Sequence, residues 1–219
     1  MDKYLISFSI SLIGLFFLAF NTFHSLYLID KIKTKTFSVF SIYLLTMLVI
    51  EICCHVLGFL DPGSNIFISH FYFNFQFLII TLFFAFLFKE IQKISRNIIL
   101  ISVVFLVIIA CSYLLNSFSF WKFNTLEIGL TSFTIISYIL YYFYYNFEKK
   151  NVKFTYFFSG LGIYLMSSSV IFLTGNIDLI LIEEPFIDIW VFNSLLYILL
   201  QYFIYQELQI FKKKKLANE

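Results

Sequence analysis

The sequence has few charged residues, few cysteines and few prolines. Only 13% of its 219 residues are charged and the net charge is +2, so we expect no nucleic-acid partner. The three cysteines, Cys53, Cys54 and Cys111, lie in apolar segments, and an odd number without regular spacing argues against a disulfide scaffold. Both prolines, Pro62 and Pro185, lie between apolar segments, which leaves those segments free of proline kinks.

Long hydrophobic segments make up most of the sequence. Hydrophobic residues make up 61% of the chain, including 32 Phe and 15 Tyr, more than a water-soluble core of this size can bury. A membrane-spanning helix needs about 20 apolar residues. Seven segments meet this requirement and contain no Lys or Arg: Tyr4–Ile29, Phe37–Leu60, Ile66–Phe88, Ile98–Asn116, Asn124–Asn146, Phe154–Thr174 and Ile189–Ile210.

The sequence therefore predicts an all-α, polytopic membrane protein. Residues 1–211 form a seven-helix transmembrane domain in this interpretation, and residues 212–219 form a basic cytoplasmic tail. Thirteen of the 15 Lys and Arg residues fall on one side of the membrane, and only Lys3 and Lys122 fall on the other. Because basic residues favour the cytoplasmic side, we expect the N-terminus outside and the C-terminus in the cytoplasm. Membrane lipids are the expected partners, with anionic headgroups near Lys212–Lys215.

A few polar residues lie inside the predicted spans, where ionisable groups are candidates for function. Glu51 and His55 are four residues apart in the second span, and His70 and Asn74 are four apart in the third, so each pair shares a helix face. A short connection joins the two spans. It predicts that His55 lies level with His70 and Glu51 with Asn74. Such a site either binds a ligand, or its members satisfy one another and hold the helices together.

A metal site is a second interpretation of the same residues. Two histidines and one carboxylate suit zinc, which makes His55, His70 and Glu51 weak metal candidates. Otherwise we expect no cofactor. No nucleotide-binding or nucleophile-elbow motif is present in the sequence.

The third span also carries a family resemblance. His70, Tyr72, Gln76 and Phe77 resemble a His-x-Tyr-x-x-x-Glu-Phe pattern found in small uncharacterised multi-pass proteins of Bacteroidota, with Gln76 in place of the Glu. The segment Trp190–Tyr197 is similar to the last helix of those proteins. The resemblance implies a bacterial inner-membrane protein and adds Gln76 to the ligand-binding candidates, but it brings no established activity.

Three functions are consistent with these features. The first is a membrane sensor or accessory subunit that recognises a small ligand or lipid at Glu51, His55, His70, Asn74 and Gln76 and signals to a cytoplasmic protein partner. The second is a membrane-perturbing or pore-forming accessory protein of a phage-defence or CRISPR locus, acting as a homo-oligomer. The third is an intramembrane metal-dependent hydrolase. The absence of a catalytic motif from the sequence favours a protein that is not an enzyme.

Overall fold

The computed structural model describes residues 3–60, 66–115, 124–149, 152–174 and 189–216, and these ranges are all-helical. Each of its helices corresponds to one of the seven predicted apolar segments, which confirms the all-α fold class. The helices are α1 (Lys3–Ile32), α2 (Lys35–Leu60), α3 (Ile66–Leu87), α4 (Gln92–Leu115), α5 (Thr125–Asn146), α6 (Thr155–Thr174) and α7 (Ile189–Leu216).

Six of these helices, α1 to α6, are long and apolar enough to cross a membrane. The seventh, α7, has 28 residues, but its polar residues, among them Asn193, Gln201 and Glu207, reduce its hydropathy. A membrane-spanning α7 therefore stays a prediction. The largest extensions beyond the predicted segments are at α4, which begins at Gln92 instead of Ile98, and at α7, which continues to Leu216 instead of ending at Ile210. The basic residues Lys212–Lys215 thus continue α7.

Six helices form a closed ring. They pack against one another in the order α1, α2, α3, α5, α6 and α7, and α7 returns to α1. The remaining helix, α4, lies outside the ring against α3 and, to a smaller extent, α5. Its sequence explains this position, because its buried residues are only Ile98, Ser102 and Ile109, which form one narrow stripe. The other faces of α4 expose Leu, Ile and Val side chains suited to contact with lipid.

One end of the ring carries almost all of the basic residues. Every Lys and Arg in the described ranges, except Lys3, lies at the ends of α1, α3, α5 and α7, at the starts of α2, α4 and α6, or in the connections beside them. We refer to this as the lysine-rich end. Phe211 of α7 packs against Phe37 near the start of α2, with ring centroids 5.1 Å apart, so α7 ends at the same level as α2 begins.

A phenylalanine cluster fills the ring interior at the lysine-rich end. Its aromatic side chains connect helices that do not adjoin in the ring. Phe40 of α2 contacts Phe157 of α6 at 5.0 Å, and Phe83 of α3 contacts Phe158 of α6 at 5.4 Å between the centroids of their side chains. All of its members except Phe211 are at most 1% exposed. The packing of these rings holds the helices of this end together. The cluster consists of Phe37, Phe40, Phe83, Phe84, Phe154, Phe157, Phe158 and Phe211.

Polar contacts connect α7 to both of its neighbours. The side-chain amide of Asn21 on α1 donates to the backbone oxygen of Gln201 at 2.9 Å and to its side-chain oxygen at 3.0 Å. At the lysine-rich end, the Glu207 carboxylate accepts hydrogen bonds from the backbone N–H groups of Phe154 at 2.8 Å and Tyr156 at 3.0 Å. Glu207 therefore caps the N-terminus of α6, where backbone N–H groups have no partner within the helix.

Candidate functional site

Glu51 lies on the face of α2 that points into the ring. The buried residues of this helix include Leu44, Met47 and Leu48, and Glu51 follows Met47 by four positions and Leu48 by three. Residues three or four apart share a helix face, so Glu51 continues the buried stripe. Its neighbour Ile52 belongs to the exposed, lipid-facing stripe. The Glu51 side chain nevertheless keeps 19% of its accessible surface, which identifies it as partly accessible within the bundle.

Four tyrosines of the ring interior lie near this carboxylate. They come from four helices of the ring, and the Glu51 carboxylate is close enough to interact electrostatically with each of their hydroxyl groups. Each of the four is at most 8% exposed. We refer to Glu51, these tyrosines, Gln76 and Asn193 as the tyrosine site. The tyrosines are Tyr43 on α2, Tyr72 on α3, Tyr164 on α6 and Tyr197 on α7.

Hydrogen bonds and ring packing join the tyrosine site across the ring. The Tyr72 hydroxyl donates to the Tyr164 hydroxyl at 3.4 Å, which links α3 to α6. The Gln76 amide donates to the Tyr43 hydroxyl at 3.2 Å, which links α3 to α2. The rings of Tyr164 and Tyr197 pack edge to face with centroids 5.7 Å apart. Helices that do not adjoin in the ring thus meet through these side chains.

Within the described ranges, two buried polar atoms of α7 have no hydrogen-bond partner: Oδ1 of Asn193 and the hydroxyl of Tyr197. The two residues are four apart, so they share one face of α7. The Asn193 side chain also interacts with the Tyr164 hydroxyl, and because its Oδ1 is unpaired, its amide nitrogen makes that contact. Leaving such atoms unpaired away from water costs about 1–3 kcal/mol each. Tyr197 interacts electrostatically with Glu51, and Asn193 lies about one helical turn from Tyr197, so both atoms are available to a ligand at this site.

No Lys or Arg of the described helices pairs with the Glu51 carboxylate. Glu51 follows Lys35 by 16 residues, which places it about 24 Å along α2 from the lysine-rich end. Across the ranges that the structure describes, its carboxylate accepts no hydrogen bond. His55 is the nearest group able to carry positive charge, with Nδ1 3.7 Å from Glu51 Oε2.

His55 uses both ring nitrogens elsewhere. Its Nδ1 lies 2.8 Å from the Glu51 backbone carbonyl oxygen, which only accepts, so this nitrogen carries a proton and donates it there. Its Nε2 lies 3.1 Å from the hydroxyl oxygen of Ser11. His55 therefore ties α2 to α1 at the edge of the tyrosine site, and its ring also borders an apolar groove between these helices.

His70 and Asn74 belong to a different network, centred on Glu127 of α5. Oε2 of Glu127 accepts from His70 Nδ1 at 2.6 Å and from the Tyr113 hydroxyl at 2.5 Å, and Oε1 accepts from the Asn74 amide. The Glu127 side chain is fully buried and that of His70 is 4% exposed. We refer to these four residues as the Glu127 network. It joins α3, α4 and α5, and its carboxylate is saturated with donors.

The structure thus divides the predicted site. Glu51 and Gln76 lie in the tyrosine site, His55 bonds to α1 at its edge, and His70 and Asn74 bond to Glu127. In the described helices, His55 bonds to Ser11 of α1 and Asn74 bonds to Glu127 of α5, so neither residue bonds across the α2–α3 pair. The physical reason is helix rotation: the two pairs face different neighbours in the ring. Of the three metal candidates, His55 and Glu51 stay together at 3.7 Å, whereas His70 bonds to Glu127. The described ranges contain no group of three His, Cys, Asp or Glu residues able to hold a metal.

Sequence reasoning missed the tyrosines and Asn193 as site residues. Tyrosine is abundant in this chain, so its presence in a span carries little signal. The available signal was spacing, because Tyr72 and Gln76 are four residues apart and share one face of α3. The cysteines behave as predicted: Cys53, Cys54 and Cys111 are all free. Comparisons of this chain with protein-family models, with curated proteins and with solved structures find no match.

Proposed function

We propose that the protein is a bacterial inner-membrane sensor that recognises a small ligand in the tyrosine site and signals to a cytoplasmic partner. The observation that carries this proposal is the partly accessible Glu51 carboxylate together with two buried atoms of the tyrosine site that are unpaired among the described residues, Asn193 Oδ1 and the Tyr197 hydroxyl. Buried polar atoms in proteins almost always have partners. The two atoms on α7 and the carboxylate on α2 together offer hydrogen-bonding groups to a ligand.

Helix α7 supplies the route for the signal. It carries Asn193 and Tyr197 in the tyrosine site, Glu207 on the N-terminus of α6, and Phe211 in the phenylalanine cluster. These residues span 18 positions of one helix, or about 27 Å. A ligand that draws Asn193 and Tyr197 toward Glu51 moves the whole rod, and with it the Glu207 cap and the basic residues that follow.

The close packing of α7 supports transmission by a rigid shift. A Cβ atom added to Gly160 of α6 would lie 2.6 Å from Cβ of Phe203, and one added to Gly14 of α1 would lie 2.9 Å from Cδ1 of Tyr197. Such close approach leaves no space for α7 to bend locally between α1 and α6. A displacement at one end of α7 is therefore expected at the other.

Replacement of single residues in the native host tests the sensor function. We expect Glu51→Gln and Tyr197→Phe each to reproduce the transcript profile of a deletion strain, because both remove a polar group that holds the ligand. Cys53→Ala is the matched control, since Cys53 is exposed on the lipid side of α2. It should keep the wild-type profile. Wild-type profiles in both site variants, at equal protein amounts in the membrane fraction, would refute the proposal.

Orientation has its own test. The proposal requires the lysine-rich end to face the cytoplasm. Reporter fusions after Leu216 should be active when the reporter folds in the cytoplasm and inactive when it needs the periplasm. The opposite result would place the tyrosine site toward the wrong side and remove the cytoplasmic partner from the proposal.

A further inference from the structure

The chemistry of the tyrosine site selects among ligands by charge. Glu51 contributes a carboxylate, and Asn193 Oδ1 is an unpaired oxygen that only accepts hydrogen bonds. The Tyr197 hydroxyl is also unpaired. A ligand that satisfies this set must bring donors, and preferably positive charge. An anion would be repelled by the Glu51 carboxylate and the Asn193 oxygen, because no Lys or Arg of the described helices lies near them.

The attraction between the Glu51 carboxylate and a positive charge is stronger inside the bundle than it would be in water. Coulomb interactions grow as the dielectric constant falls, and the tyrosine site lies inside a bundle of apolar helices. Aromatic rings add attraction, since their faces carry negative electrostatic potential toward cations. Tyr43, Tyr72, Tyr164 and Tyr197 supply four such rings near one carboxylate. The His55 Nδ1 proton is donated to the Glu51 backbone carbonyl oxygen at 2.8 Å and not to the carboxylate, whose Oε2 lies 3.7 Å away.

We infer that the ligand of the tyrosine site is a small organic cation, a protonated primary amine. Its N–H groups donate to the Glu51 carboxylate, to Asn193 Oδ1 and to the Tyr197 hydroxyl oxygen, and its apolar part contacts the tyrosine rings. A primary amine fits this acceptor set better than a quaternary ammonium group, which has no N–H to donate. This inference rests on the proposed function, because it names the class of ligand for the same site.

Three probes of similar size and different charge test the inference on the purified full-length protein in lipid nanodiscs. They are butylammonium chloride, 1-butanol and sodium butyrate, with sodium chloride at matched ionic strength. We expect butylammonium to raise the thermal unfolding temperature in a saturable way, and the other three to leave it unchanged. Stabilisation that is strongest with 1-butanol, butyrate or sodium chloride would overturn the inference.

Variants locate the binding. Glu51→Gln should weaken butylammonium binding about tenfold or more in calorimetric titrations, because it removes the charge of the strongest acceptor. Glu90→Gln, an exposed acid at the lysine-rich end, is its control. Tyr197→Phe should weaken binding several-fold, whereas Tyr202→Phe on the exposed face of the same helix should not. Equal affinity in Glu51→Gln and the wild type would overturn the inference.

The outcomes separate this inference from the sensor function. If 1-butanol binds best and Tyr197→Phe abolishes its binding, the tyrosine site takes a neutral ligand: the cation inference fails and the sensor proposal stands. If butylammonium binds through Glu51 while the Glu51→Gln strain keeps a wild-type transcript profile, the cation site stands and the sensor proposal fails.

Discussion

Two carboxylates inside the same bundle differ in how completely their oxygens are bound. Glu127 accepts hydrogen bonds from His70, Tyr113 and Asn74 and is fully buried. Glu51 accepts none within the described ranges and keeps 19% of its side-chain surface. A saturated carboxylate holds helices together, because it is the acceptor that several helices share. An unsaturated one adds little to stability and remains available for binding.

The largest effect should come from Glu127. Glu127→Ala removes the buried acceptor that His70, Tyr113 and Asn74 share, so we expect a loss of about 3 kcal/mol or more in unfolding free energy. Reversible unfolding in mixed detergent micelles, followed by circular dichroism, measures it. Glu90→Ala at an exposed position should change the stability by less than about 0.5 kcal/mol. A loss of that small size in Glu127→Ala would remove the contrast between the two carboxylates.

Glu207 offers an intermediate case, a carboxylate bound by backbone N–H groups. Glu207→Ala removes the cap of α6, and we expect a loss of about 1–2 kcal/mol in the same unfolding assay. Gln206→Ala, at the neighbouring position, is the matched control, because no side-chain hydrogen bond of Gln206 is seen in the described part of the chain. If both variants are equally stable, the cap contributes nothing measurable.

A smaller effect is expected at a single bond within the tyrosine site. Tyr72→Phe removes the 3.4 Å hydrogen bond to the Tyr164 hydroxyl and keeps the ring, so it should cost about 0.5–1 kcal/mol. Tyr202→Phe, on the exposed face of α7, should be neutral. A cost in Tyr72→Phe as large as that in Glu127→Ala would show that the tyrosine site is also a structural network.

Glu51 itself should show the smallest change. Glu51→Gln in the absence of any amine removes no hydrogen bond of the described residues, so unfolding free energy should stay within about 0.5 kcal/mol of the wild type. The same assay as above measures it, with Cys53→Ala as the control on the lipid side. A loss of several kcal/mol would mean that Glu51 is held by partners, as Glu127 is, and would weaken the argument for a ligand.

The helices themselves were predictable because their cause is local. In lipid, a spanning segment must satisfy its backbone groups internally, so an apolar run of sufficient length forms a helix whatever surrounds it. The predicted segments match the helices closely: the segment Phe37–Leu60 lies in α2 (Lys35–Leu60), and Ile66–Phe88 overlaps α3 (Ile66–Leu87). The exceptions are the polar extensions of α4 and α7, which continue the helices beyond the apolar segments.

The candidate site was only partly predictable. Glu51 was identified because an ionisable residue inside an apolar segment stands out, and Gln76 was identified only through the resemblance of the third span. The partners were not, because they depend on which helices adjoin and how each is rotated about its axis. With α4 outside the ring, α5 packs beside α3 and brings Glu127 to His70. The spacing of residues within α2 and α3 does not predict a contact with α5.

Hydrophobicity and backbone hydrogen bonding act within each segment, so the amino-acid sequence alone specifies an all-α protein with several helices of membrane-spanning length. That Glu127 is saturated with donors, and that Glu51 is not among the described residues, depends on tertiary packing. That distinction arises from contacts between residues distant in the chain, such as His70 with Glu127, and the packing of the ring fixes which donors reach which acceptor.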